Sequence, residues 1–135
     1  MRVRDGMSET VLTIGPSHTL REAAEVMCRR NVGAAVVLDP DAPGPSVITE
    51  RDILQAVGCG EDPTQELVSN HLTSNLTLAA PDWSLEEAAA TMVRGRFRHL
   101  VVYERGELAG ILSMRDIMRC WIQDGATSEV PASAA

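Results

Sequence analysis

The chain is written twice. Leu20-Arg21-Glu22-Ala23-Ala24 returns as Leu85-Glu86-Glu87-Ala88-Ala89, Met27 as Met92, Pro16 as Pro81 and Val36-Val37 as Val101-Val102, all at a spacing of 65 residues. Arg51-Asp52-Ile53 returns as Arg115-Asp116-Ile117 at a spacing of 64, so the first copy carries one extra residue in Asp39 to Pro45, a segment with three prolines. Each copy must therefore be one supersecondary unit, and 135 residues leave no room for a second large domain.

Both copies read alike. A short extended piece (Val11 to Ile14; Leu76 to Ala79) meets a turn at Pro16 or Pro81. Thr19 with Glu22, and Ser84 with Glu87, then form capping boxes in which a hydroxyl and a carboxylate satisfy free amides at a helix start. Leu20, Ala23, Ala24, Met27 and Cys28 keep an i, i+3, i+4, i+7, i+8 rhythm, matched by Leu85, Ala88, Ala89, Met92 and Val93, which predicts one apolar stripe per helix. An apolar run follows (Ala34 to Leu38; Leu100 to Tyr103), then a second strand (Val47 to Ile48; Gly110 to Leu112) and a helix from Arg51 or Arg115. The unit is β-α-β-β-α, twice, in a mixed α/β (α+β) fold. Glu61 to Leu72 is expected as a polar bridge with Pro63 opening a short helix, and Gly125 to Ala135 as a disordered tail. The expected organisation is motif 1 over 1–60, linker 61–67, motif 2 over 68–124 and tail 125–135.

Composition removes several functions. All 12 basic residues are arginine, so chemistry that needs a P-loop or Schiff-base lysine is excluded. A net charge of −7 and four scattered aromatics, Trp83, Phe97, Tyr103 and Trp121, argue against nucleic-acid binding. Cys28, Cys59 and Cys120 lack C-x-x-C spacing and are read as reduced thiols filling core space, which points to a cytoplasmic setting. The longest purely apolar stretch, Ala34 to Leu38, is far too short to span a membrane. His18, His71 and His99 show no metal-ligand spacing, and no nucleophile sits with a base; neither an enzyme, nor a metal, nor a catalytic cofactor is expected.

Val3-Arg4-Asp5-Gly6-Met7-Ser8 at the start, and Ser46-Val47-Ile48-Thr49-Glu50-Arg51-Asp52-Ile53 with Gly110-Ile111-Leu112-Ser113-Met114-Arg115-Asp116-Ile117 near the ends, resemble the paired cystathionine β-synthase (CBS) domain module. The resemblance runs from about Val3 to Gln123 and implies a stand-alone module. It also implies two motifs packed with pseudo-twofold symmetry through their sheets, and clefts that bind adenosine-containing ligands such as AMP, ATP or S-adenosylmethionine. It carries ribose and phosphate contacts onto Thr49 and Asp52 in the first copy and Ser113 and Asp116 in the second. By themselves these pairs are also ordinary helix N-caps with an acid three residues on.

Arg98 and His99 stand where the first copy has Gly33 and Ala34. The resemblance implies basic groups facing ligand phosphates there, while the Arg94-x-Arg96-x-Arg98 spacing alone also fits a solvated edge. Ser46 replaces Gly110 and Glu50 replaces Met114, which makes the first cleft the weaker candidate and one occupied site per chain the expectation. The implied function is a regulatory module sensing AMP or ATP, paired as a homodimer and acting on an unidentified regulated protein. The rivals are a structural interaction module with vestigial clefts and an S-adenosylmethionine sensor, for which Glu50 is favourable.

Overall fold

A computed structural model describes residues 1–73 and 76–124. Expectations for the 125–135 tail fall outside the described residues.

The chain divides into two compact units, Val11–Leu76 and Met1–Thr10 with the chain from Thr77 onward. In the Val11–Leu76 unit, β1 (Thr13–Ile14), α2 (Leu20–Arg30), β2 (Ala34–Val37), β3 (Ser46–Thr49) and α3 (Glu50–Gly58) follow in order. The other unit holds a short helix α1 (Val3–Gly6), then β4 (Leu78–Ala79), α4 (Leu85–Gly95), β5 (His99–Glu104), β6 (Glu107–Ser113) and α5 (Met114–Gln123). Each unit has one three-stranded sheet, ordered β1-β2-β3 or β4-β5-β6. The first strand pair is parallel, joined through a helix, and the second antiparallel.

The apolar stripe packs each first helix on its sheet. Leu20, Ala23 and Met27 are buried with Ile48 and Val37, and Leu85, Ala88 and Met92 with Leu100 and Leu112. The stripe is narrower than its spacing predicts: Cys28 and its counterpart Val93 are exposed in both copies, because the i+8 position has turned off the face that meets the sheet. Cys59 ends α3 and is exposed as well, so only Cys120 fills core space.

Both second helices begin one residue earlier than expected, at Glu50 and Met114. Pro63 opens turns in place of a helix, with the Asp62 carboxylate accepting from the Thr64 amide (2.9 Å) and hydroxyl (2.7 Å), a local bond that competes with helix formation. A 3₁₀ turn follows at Val68–Asn70.

Each unit is completed by the segment that heads the other sequence repeat. Val3 donates to the Trp83 carbonyl (2.8 Å), Arg4 to Pro81 (3.0 Å) and Leu85 to Met1 (3.1 Å), and Val3 is fully buried among α4 and α5 residues. The matched bonds in the other unit are Val68 to His18 (2.8 Å), Ser69 to Pro16 (3.0 Å) and Leu20 to Glu66 (2.9 Å), with Val68 buried in the core around Leu20. Ser8 pairs with Ile111, and its counterpart Thr73 pairs with Val47.

The two hairpins differ for a local reason. Arg105 and Gly106 both adopt positive φ (55° and 79°), the two-residue turn that suits a right-twisted ladder, and β5 and β6 run on to it through an irregularity after Val102. Pro40, Pro43 and Pro45 supply no amide donors, so β2 and β3 stop at Val37 and Ser46.

Candidate functional site

Strand β3 delivers Thr49 and strand β6 delivers Ser113 to the first position outside a helix. Each has extended backbone there, with ψ of 164° and 161°. In the second copy the Ser113 amide donates to Asp116 Oδ2 (2.8 Å) and the Asp116 amide to Ser113 Oγ (3.0 Å). The same reciprocal box joins Thr49 and Asp52, at 2.9 Å and 3.2 Å. Both expected pairs are therefore formed, and both serve as caps. A cap consumes one lone pair on one carboxylate oxygen and leaves the other oxygen available to further donors.

The remaining oxygens are treated differently. Asp116 Oδ1 accepts from Arg119 Nη1 (2.8 Å), and Arg119 Nη2 donates to the Gly6 carbonyl (3.2 Å). The bond to Asp116 raises the Arg119 pKa above its ordinary value, against an opposing desolvation cost. Asp52 instead faces the Thr73 hydroxyl, at 3.4 Å from either oxygen. Its own cap also donates a hydroxyl proton to Oδ2 (2.9 Å), and Ser113 Oγ accepts from the Asp116 amide. The first turn of α3 carries Glu50 and Asp52, that of α5 only Asp116.

Arg98 and His99 lie beside the second mouth. His99 pairs across the sheet with Ser113, and the Met114 amide donates to the Arg98 carbonyl (2.8 Å). Arg98 is exposed and His99 half-buried. Four expected residues, Arg98, His99, Ser113 and Asp116, thus gather at one end of β5 and β6, while Thr49 and Asp52 occupy the matching end of β2 and β3 next to Gly33 and Ala34.

Arg119 was not singled out by sequence reasoning. Its signal was the i, i+3 spacing from Asp116 on one helix face, where an acid and an arginine meet. The backbones approach differently at the matched positions: a Cβ on Gly110 would stand 2.5 Å from the Ser8 carbonyl oxygen, whereas Ser46 carries its side chain while Thr73 still exchanges backbone bonds with Val47 at 2.9 and 3.2 Å. Among the described residues, no group of three His, Cys, Asp or Glu could hold a metal ion, and no helix is long and apolar enough to cross a membrane.

A CBS domain model matches residues 3–58 and again residues 68–122. The chain belongs to the CBS domain family. This CBS pair is 34% identical over 116 residues to the CBS domain-containing protein YhcV of Bacillus subtilis, covering 85% of the chain and 81% of YhcV. It is 33% identical over 124 residues to the uncharacterized protein MJ1225 of Methanocaldococcus jannaschii, covering 92% of the chain but only 44% of that relative, so it spans less than half of MJ1225. Among solved structures, the CBS-domain containing protein ATU1752 from Agrobacterium tumefaciens superposes with a TM-score of 0.82 at 33% identity, covering 89% of the chain and 98% of ATU1752. The CBS domain pair of protein MJ0100, solved with 5'-methylthioadenosine and S-adenosyl-L-methionine, shares the fold at a TM-score of 0.78 and 21% identity over 92% of the chain and 98% of that pair.

Proposed function

We propose that this CBS pair is a regulatory module, not an enzyme, that binds an adenosine-containing ligand and signals its presence by conformational change. The second mouth, Ser113 and Asp116 with Arg98 and His99, takes AMP or ATP. The observation that carries this reading is the pairing at one strand end of a diol acceptor, Asp116, with a hydroxyl donor at a helix N-terminus, where the backbone dipole favours phosphate. His99, which opens the neighbouring strand, and Arg98 just before it supply cationic or donor groups.

The first mouth supports a second reading. Glu50 and Asp52 crowd one helix turn with carboxylates, an environment that favours a sulfonium over a phosphate, so Thr49 and Asp52 are assigned to S-adenosylmethionine or to a weaker nucleotide site. The MJ0100 pair holds two adenosyl compounds on the same fold, which supports this class of ligand.

Dimerisation with a second copy belongs to the same reading. Leu54 is 70% exposed and its counterpart Met118 55%, with Ile122 at 72%, so both terminal helices present apolar side chains outward. Sedimentation should give the mass of a dimer, and Met118→Glu with Ile122→Glu should give a monomer.

Calorimetry with AMP, ATP and S-adenosylmethionine tests the sensor directly. Saturable heat for at least one is expected. Silence for all three, with the dimer intact, would favour a structural interaction module, and identification of a co-purifying ligand by mass spectrometry would name the guest.

A further inference from the structure

We infer that Arg119 is a positioning residue that ties the Asp116 carboxylate to the N-terminal segment, so that a ligand on Asp116 tightens the docking of residues 1–10 on β6 and α5. The ligand half of this inference rests on the reading of Asp116 given above; the mechanical half stands on contacts within one compact unit.

One guanidinium makes both bonds. Nη1 holds Asp116 Oδ1 at 2.8 Å and Nη2 reaches the Gly6 carbonyl at 3.2 Å, so the planar fork spans from helix face to segment. The segment is fitted closely where the fork grips it. A Cβ on Gly6 would lie 2.8 Å from Cys120 Sγ, and two residues later Ser8 and Ile111 exchange backbone bonds at 2.9 and 3.0 Å. Ile111 lies two residues before Ser113, the cap of α5. The N-terminal segment therefore touches β6 and α5, the elements that carry Ser113 and Asp116.

A sugar diol adds to this arrangement without displacing Arg119. A carboxylate offers about four lone-pair sites, and the cap and Arg119 occupy one on each oxygen. Arg119 is 47% exposed, so holding it costs side-chain entropy; fixing the carboxylate from the ligand side removes part of that cost and strengthens the hold on Gly6. Linkage makes the effect reciprocal: a docked segment raises ligand affinity. The first copy uses another part. Gln55 stands where Arg119 would be, and Asp52 meets Thr73, the counterpart of Ser8, directly through its hydroxyl.

Amide hydrogen exchange on the full chain tests the coupling in two arms. Without ligand, Arg119→Gln and Asp116→Asn should each speed exchange at Ser8 and Ile111 by about tenfold, the double variant should add little, and Thr73 and Val47 should be unmoved. Additive effects, or none, would overturn the coupling. If Arg119→Gln fails to fold, Arg119→Lys serves, since an ammonium keeps the charge beside Asp116 but cannot fork to Gly6; wild-type exchange at Ser8 in that variant would also overturn it. In the second arm, saturating AMP, ATP or S-adenosylmethionine, whichever gives heat, should slow Ser8 and Ile111 severalfold in wild type and leave them unchanged in an Arg119 variant that still binds. Equal slowing in both would sink the ligand half. A wild type that binds none of the three would refute the functional reading while the ligand-free arm still decides the mechanical one.

Discussion

The two helix mouths of this chain solve one problem with different chemistry. Each must cap a helix, and each does so with a hydroxyl and a carboxylate three residues apart. Beyond the cap they diverge: Asp116 is paired with Arg119 and linked to Gly6, whereas Asp52 shares its turn with Glu50 and faces the Thr73 hydroxyl. Features common to both copies therefore build the fold, and features present in one alone make the two mouths chemically different.

The comparison is first sharpened in the cores, where the copies should behave alike. Leu20 and Leu85 are both fully buried, and replacing either with alanine should cost about 2–5 kcal/mol in denaturant unfolding. A large loss in only one copy would break the equivalence of the units. A clear difference is expected at the next pair. Gly110→Ala drives a methyl into the Ser8 carbonyl and should cost about 1–3 kcal/mol, while Ser46→Ala, at the matching position, should cost under about 1 kcal/mol. Equal costs would show that the Ser8 contact does not explain the glycine.

Smaller still is the loss of a cap, about 1 kcal/mol for Thr49→Ala or Ser113→Ala. Thr49→Ala should be the costlier, because that hydroxyl also donates to Asp52. The smallest effect concerns acid. The Thr19 amide and hydroxyl hold the Glu22 carboxyl below its ordinary value of 4.5. A lowered native pKa means the unfolded chain binds more protons in that window, so this contribution is fully present above about pH 4.5 and is lost as pH falls through the native value. Glu22→Gln should flatten the acid limb of the stability profile slightly; an unchanged limb would contradict the bond.

Much of this was legible before any coordinates. Repeat spacing, capping boxes and the apolar stripe locate the helices and the central strands, because they depend on residues close in sequence. What was not legible depends on which segments meet. Val3 completes the core around Leu85, and Val68 the core around Leu20, although each heads the opposite repeat. The meaning of Gly6 and Gly110 lies in contacts with Cys120 and Ser8 that no local pattern announces. Cys28 and Val93 looked like stripe residues because i+8 is close to the period, yet the buried face is too narrow to reach them.

Calorimetric titration of AMP, ATP and S-adenosylmethionine into wild type, Asp52→Asn and Asp116→Asn tests the central claim most directly. The account predicts that Asp116→Asn abolishes or strongly weakens nucleotide binding and that Asp52→Asn leaves that event largely intact. Nucleotide binding by Asp116→Asn as tight as by wild type would contradict it.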